Sequence, residues 1–225
     1  PQILTCLADP DSCTTLSYNH RNLIATIPTE IGLLTKLTEI FLNGNLLHGT
    51  LPTELGLLTD LTALLLDQNE LVGPIPTEFG GMTSLKDLWL ANNQLTGPIP
   101  TEIARLPLRT VYLQQNMLSG NLSFFSMFQS YNLEYFYVGE NELAGTIPAD
   151  IAKQTRLIGL GFERNPFIHG TIPSELGRLT TLESLWLYLM QLEGPIPTEL
   201  GQMTSLTLVS LSENRLTGTI PTEIA

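Results

Sequence analysis

The sequence predicts an α/β solenoid, and three features of one repeated unit carry that prediction. An apolar residue followed by proline recurs at intervals of 24, 24, 24, 23, 25, 25, 24 and 24 residues when Ser123 is counted as the degenerate fifth position. A run of the form Leu-x-x-Leu-x-Leu precedes the sites, an Asn precedes most of them, and an acid follows every one except Ser123. Such a period indicates stacked coils. The repeated positions are Pro28, Pro52, Pro76, Pro100, Ser123, Pro148, Pro173, Pro197 and Pro221.

Each unit opens with a short predicted strand. In the run x-Leu-x-Leu the apolar residues point inward and the residues between them face out, as the two-residue period of a strand requires. Stacked units must pair these strands in parallel, so we predict one continuous sheet on the concave side. The units begin at Leu37, Leu61, Leu85, Leu108, Leu133, Leu157, Leu182 and Leu206, with a weaker one at Cys13.

An Asn follows the strand in most units, and we predict that it is part of the scaffold. Its amide can donate and accept bonds, which satisfies turn backbone that no strand reaches. Met190 interrupts this column and cannot donate, so we predict local loosening there. The column is Asn45, Asn69, Asn93, Asn116, Asn141, Asn165 and Asn214.

After the Asn, a Gly and the proline turn the chain to the convex side, where we predict short helical turns. Thr or Ser is expected to cap each turn, and the acid two residues after the proline should face the positive helix end. A cation-binding acidic stripe is the alternative. The acids are Glu30, Glu54, Glu78, Glu102, Asp150, Glu175, Glu199 and Glu223.

Composition limits the function classes. The net charge of −12 argues against a nucleic-acid partner, and no apolar run is long enough to span a membrane. The histidines His20, His48 and His169 are far apart in the ladder, and no Ser-His-Asp group, Cys nucleophile or metal-ligand spacing occurs. We therefore predict no catalysis, no cofactor and no metal site.

The pattern LxxLxLxxNxLxGxIPxxLGxLxx resembles the plant-type leucine-rich repeat from about Cys13 to Ala225. The resemblance implies a right-handed superhelix, a second small strand through the GxIP segment, and an extracellular or secretory-lumen location. It also implies a recognition function like that of receptor-kinase ectodomains and polygalacturonase-inhibitor-like proteins, which bind proteins, peptides or glycans.

We divide the chain into an N-terminal cap, residues 1–23, and about eight repeats of 23–25 residues over 24–225, the last one truncated. The chain begins without Met and ends just after a unit starts, so we expect it to be a piece of something longer. Plant-type caps usually carry a Cys pair, which implies a disulfide between Cys6 and Cys13. Two buried free thiols are the alternative.

Aromatic residues dominate the outward positions of the concave strands, and exposed Trp and Tyr are favoured interface anchors. We predict a ligand-binding face, with mutual packing of the rings as the alternative. A structural or assembly role is a second function. Ice binding on the Thr29, Thr53, Thr77 and Thr101 column is a third, and the oligomeric state stays open. The candidate binding residues are Phe41, Trp89, Tyr112, Tyr135, Tyr137, Trp186 and Tyr188.

Two glycines sharpen the prediction. Gly159 and Gly161 take neighbouring outward positions of one strand, so the aromatic residues on either side should form walls about 10 Å apart. We predict a trough that takes a sugar ring or a peptide side chain, with Glu163 and Arg164 at one end.

The fifth unit departs from the pattern. Its sequence Asn121-Leu122-Ser123 is the single N-glycosylation sequon of the chain, and glycosylation of Asn121 would fit a secreted protein. The following SFFSMFQSYN segment is predicted to be a repacked convex helix, with an exposed docking patch as the alternative.

Overall fold

The computed structural model describes Cys6 and residues 8–224, so the start of the predicted cap lies outside the described residues. Its largest element is a nine-stranded parallel sheet whose strand order follows the chain, which confirms the predicted solenoid. The strands of this concave sheet are Thr15–Ser17, Glu39–Phe41, Ala63–Leu65, Asp87–Trp89, Thr110–Tyr112, Tyr135–Tyr137, Gly159–Gly161, Ser184–Trp186 and Leu208–Ser210.

A second strand forms in each unit, but it ends before the Ile-Pro pair and does not run through it, as in Glu70–Pro74. These strands form two lateral sheets, which meet at an isolated bridge between Asn121 and Ala144. The first sheet contains Ile24–Ala25, Leu46–Thr50, Glu70–Pro74, Gln94–Pro98 and Met117–Ser119. The second contains Ala144–Thr146, Phe167–Gly170, Gln191–Pro195 and Arg215–Thr217.

The convex turns are 3₁₀ helices. The predicted capping by Thr is wrong: in the regular units proline itself is the N-cap, without a side-chain bond, and Thr is the first helical residue. The Thr hydroxyl contacts the carboxylate of the next residue instead, as between Thr53 and Glu54 at 3.3 Å. The acid does lie in the first turn. The helices are Pro10–Ser12, Thr29–Leu33, Thr53–Leu57, Thr77–Gly81, Thr101–Arg105, Ser123–Met127, Ala149–Lys153, Ser174–Arg178, Thr198–Gln202 and Thr222–Ile224.

The inward leucines of the concave strands form the core between the sheet and the convex helices. Each buried Leu side chain stabilises the fold by roughly 1.5–3 kcal/mol relative to its exposed state. In the degenerate unit Phe124, Phe125 and Phe128 are buried, whereas Met127 and Tyr131 are exposed. The repacked convex helix is therefore confirmed.

At the N-terminal end the disulfide between Cys6 and Cys13 is confirmed. The two Sγ atoms are bonded, the Cα atoms lie 5.3 Å apart, and both residues are buried. The bridge closes a short loop at the end of the stack, where coil-on-coil packing is available on one side only.

The Asn column performs the predicted role. In Asn141 the side-chain nitrogen donates to the carbonyl oxygens of Leu113 at 3.0 Å and Val138 at 3.1 Å. Its oxygen accepts the Leu118 N–H at 2.9 Å. One amide thus links the turns of neighbouring units, and the residue is only 5% exposed.

The loosening predicted at Met190 concerned the carbonyls that an Asn there would bind, and those of Phe162 and Leu187 still accept from the amide nitrogens of Asn165 at 2.8 Å and Asn214 at 2.6 Å. The N–H group that such an Asn would accept from is also paired. Met190 is buried, and the Ile168 N–H donates to the Asn165 carbonyl at 3.1 Å. One extra residue lies between Asn165 and Ile168 compared with the other units, which makes this local turn possible.

We therefore expect that removing an Asn from this column lowers the free energy of unfolding, whereas placing an Asn at position 190 does not raise it. Asn141→Met should lower the free energy of unfolding by about 2 kcal/mol, because it leaves buried turn groups unpaired. Met190→Asn should not raise it, since the Ile168 N–H is already bonded and leaves the new amide oxygen without a donor. Urea unfolding followed by circular dichroism checks both, and a gain in stability in Met190→Asn would contradict this account of the extra residue.

Candidate functional site

The outward residues of the concave sheet lie in register. Asp87, Thr110 and Tyr135 are neighbours across three strands, and so are Trp89, Tyr112 and Tyr137. Because side chains alternate along a strand, both sets share the solvent face of the sheet.

Four of these side chains form a contiguous surface, which we call the aromatic row: Trp89, Tyr112, Tyr135 and Tyr137. Ring centroids lie 4.9 Å apart between Trp89 and Tyr112, and 5.6 Å apart in the stacked pair of Tyr112 and Tyr137. All four side chains are half-buried. The rings therefore pack on one another, as the alternative expected, and still keep exposed surface. Ligand binding on this face stays a prediction.

Hydrogen bonds fix one end of the row. The Trp89 indole Nε1 donates to Thr110 Oγ1 at 2.6 Å, and that hydroxyl donates to the Asp87 carboxylate at 2.7 Å. Beside them Arg109 pairs with Glu134 at 3.4 Å. The indole is thus held in one orientation by a polar chain at its base.

The phenol of Tyr112 stays protonated over the accessible pH range. Burial raises its pKa to about 12, and the neighbouring Tyr137 and Tyr135 add to the shift. Its hydroxyl is therefore neutral at physiological pH and can donate a hydrogen bond.

The predicted trough is wrong, because Tyr137 fills it. Its ring and hydroxyl lie over Gly159 and Gly161, where a Cβ atom on either glycine would overlap them. The Tyr137 hydroxyl reaches Ser184 Oγ at 3.1 Å, and both glycines are buried. The missing side chains thus make room for the neighbouring tyrosine rather than for a ligand.

Glu163 and Arg164 do not form the end of a slot, since their side chains diverge. The Glu163 carboxylate folds over Gly139 and Gly161, and its Oε2 is buried without a hydrogen-bond partner among the described residues. Burial raises the pKa of this carboxyl, and Glu140 adds to the rise. Arg164 is exposed and stacks over Tyr188, 5.7 Å from the ring centroid.

The remaining candidates lie apart from the aromatic row. Trp186 and Tyr188 form a second, edge-to-face pair with centroids 6.1 Å apart. Phe41 is separated from Trp89 by the strand that carries Leu65. Sequence reasoning missed Thr110 and Ser184, which aligning the outward positions of neighbouring units would have found.

A Glu163→Gln variant should be more stable than the wild type at pH 7. A raised native pKa means that the Glu163 carboxyl holds its proton more tightly in the folded chain than in the unfolded chain. The wild type is therefore stabilised by this proton at low pH, and it loses that stabilisation as pH rises through the native pKa. The difference between variant and wild type should vanish below the ordinary pKa of 4.5. Urea unfolding at several pH values measures it, with the exposed Glu142→Gln as control. A pH-independent difference would contradict the assignment.

Within the described part of the chain, three His, Cys, Asp or Glu side chains nowhere come together as metal ligands. In the same part, every helix is too short or too polar to cross a bilayer.

Comparison with known families supports the repeat assignment. The family model described as Leucine Rich Repeat matches residues 84–106 and 205–225. None of the curated protein sequences matches the chain significantly.

Several solved structures are similar over nearly the whole chain. The plant peptide hormone receptor RGFR1, in complex with RGF2, is 35% identical with a TM-score of 0.91, over 95% of this chain and 34% of the receptor chain. The Arabidopsis receptor kinase HAESA, in complex with the peptide hormone IDA and the co-receptor SERK1, is 29% identical with a TM-score of 0.91. That match covers 96% of this chain and 36% of the HAESA chain. The chain thus spans about a third of these two receptors.

A plant ice-binding protein is also similar. It is 28% identical with a TM-score of 0.73, and the match covers 92% of this chain and 74% of that protein.

Proposed function

Since the chain is a plant-type leucine-rich repeat protein, we propose that it is a non-catalytic extracellular recognition module that binds a peptide on its aromatic row. The observation that carries the proposal is a row of four half-exposed rings in register across three neighbouring strands. Large aromatic side chains on a rigid sheet provide contact area at little conformational cost. The peptide hormones bound to RGFR1 and HAESA support a peptide ligand over a glycan.

The charge around the row favours a basic peptide. Asp87 lies on one strand of the row, Glu134 directly precedes another, and Glu183 precedes the strand of Trp186. The cations beside the row are Lys86 and Arg109, and Arg109 is already paired with Glu134. Arg or Lys side chains of a ligand could stack on the tyrosine faces and pair with these carboxylates. Arg164 over Tyr188 shows the same stacking within the chain.

The test is a fluorescence titration of Trp89 and Trp186 with a short Arg-rich peptide and, separately, with neutral cellulose oligosaccharides. We expect saturable binding of the peptide and a loss of affinity of roughly 10-fold or more in Tyr112→Ala, because that ring contacts three others. Tyr131→Ala is the matched control, since that tyrosine is 50% exposed and outside the concave sheet.

If the protein binds the oligosaccharide and not the peptide, the ligand is a glycan and the proposal of a peptide ligand is wrong. If neither probe binds, or if Tyr112→Ala binds like the wild type, the rings serve to pack the sheet and the proposal fails.

Ice binding is a second candidate, favoured by the similarity to a plant ice-binding protein. Thr29, Thr53, Thr77 and Thr101 are all exposed on successive convex helices. Their hydroxyls already contact the following glutamates, which leaves them less free to order water. A measurement of thermal hysteresis tests for ice binding. If the protein shows no thermal hysteresis, ice binding is excluded as its function.

A further inference from the structure

The sequon in the degenerate unit is presented to solvent at both of its recognition positions. Asn121 and Ser123 are exposed, whereas Leu122 between them is 1% exposed and belongs to the core. The two polar residues stand where Pro98 and Pro100 stand in the preceding unit. The middle residue therefore anchors the segment while the flanking residues face outward.

The Asn121 amide has its oxygen occupied and its nitrogen free. Oδ1 accepts the Ser123 N–H at 3.0 Å and the Ser123 hydroxyl at 2.5 Å. Nδ2 donates no hydrogen bond to any residue that the structure describes. In this respect Asn121 differs from the Asn column, where each amide nitrogen, as in Asn165, is committed to backbone carbonyls.

The surroundings leave room for a large substituent. The lateral sheets are interrupted here, since the strand Met117–Ser119 ends before Asn121 and the pairing with the next unit is reduced to an isolated bridge to Ala144. The next unit approaches through Gly145, where a Cβ atom would lie 3.6 Å from the Asn121 Cβ, an ordinary contact distance. Because Asn121 is exposed and its described hydrogen bonds use Oδ1, a group on Nδ2 breaks no described hydrogen bond.

We propose that Asn121 carries an N-linked glycan. The donor would be a lipid-linked oligosaccharyl diphosphate: a bond forms between Nδ2 and C1 of the first sugar, the bond from C1 to the diphosphate oxygen breaks, and the diphosphate leaves with the electron pair while the amide loses a proton. The proposal rests on the extracellular location proposed above, with which the disulfide agrees.

The position of Asn121 also determines which surfaces the glycan would cover and which it would leave accessible. Asn121 continues the lateral strand Met117–Ser119, while the aromatic row lies on the concave sheet. The glycan would cover the seam between the lateral sheets, including the half-exposed Met117. It makes the lateral face unsuitable for a protein partner and leaves the concave face open.

The experiment is peptide mass spectrometry of the full chain secreted from eukaryotic cells behind a signal sequence. We expect one glycan on the peptide that contains Asn121, removed by peptide N-glycosidase, absent in Asn121→Gln and Ser123→Ala, and retained in Ser123→Thr. An unmodified Asn121 in the secreted wild type would overturn the proposal. Translation into microsomes reads the same modification if a variant is not exported.

Ligand binding is measured on the same material, so the two proposals fail separately. Titration of the wild type with the Arg-rich peptide before and after enzymatic removal of the glycan should give the same affinity. A change of more than about 10-fold would place the glycan next to the binding face and overturn the assignment of separate faces.

Discussion

A Phe125→Ala variant is expected to lose about 4 kcal/mol of unfolding free energy, the largest effect of any substitution considered. The Phe125 ring lies 4.8 Å from Phe136, 4.9 Å from Phe124 and 5.4 Å from Phe128 between ring centroids. Removing the ring opens a cavity, and the neighbouring rings cannot move in to fill it because they pack against one another. Unfolding in urea, followed by far-ultraviolet circular dichroism, gives the value.

The matched control is Met127→Ala in the same helix, because Met127 is 45% exposed and leaves no cavity. Its stability should stay within about 0.5 kcal/mol of the wild type. A loss below about 1 kcal/mol in Phe125→Ala would mean that the aromatic cluster of the degenerate unit is loosely packed.

Gly56→Ala is expected to cost about 3 kcal/mol, although it adds a single methyl group. A Cβ atom at Gly56 would overlap the carbonyl oxygen of Glu78 in the next unit. Since that oxygen belongs to the backbone, the two convex helices would have to separate.

The control for Gly56→Ala is Leu57→Ala, because Leu57 is the next residue and is 58% exposed. Thermal unfolding should separate the two variants, with a lower melting temperature for Gly56→Ala only. Equal melting temperatures would show that neighbouring coils adjust their spacing freely.

Much of the fold could be predicted because the positions that recur in each repeat unit determine its backbone geometry. The period, the Leu alternation and the Asn column determined parallel strands, a buried apolar ladder and amide-linked turns, and Asn141 makes the bonds expected of it. These are local requirements of backbone and core that every unit satisfies in the same way.

The candidate site could be predicted only in part. The outward aromatic residues followed from strand alternation, and their register places them side by side. The trough at Gly159 and Gly161 could not be judged from the sequence, because a missing side chain leaves space that either a ligand or a neighbour can occupy. Tyr137 occupies it and bonds Ser184 across the strand.

The sequence by itself determined the solenoid, its units and the face on which the aromatic residues lie, since these depend on periodicity. Only the tertiary structure decided how side chains of different units share space: Tyr137 over the glycines, and Ile168 satisfied by its own turn beside Met190. Periodicity fixes where a side chain starts, whereas its direction depends on rotamers and on the volume that its neighbours leave.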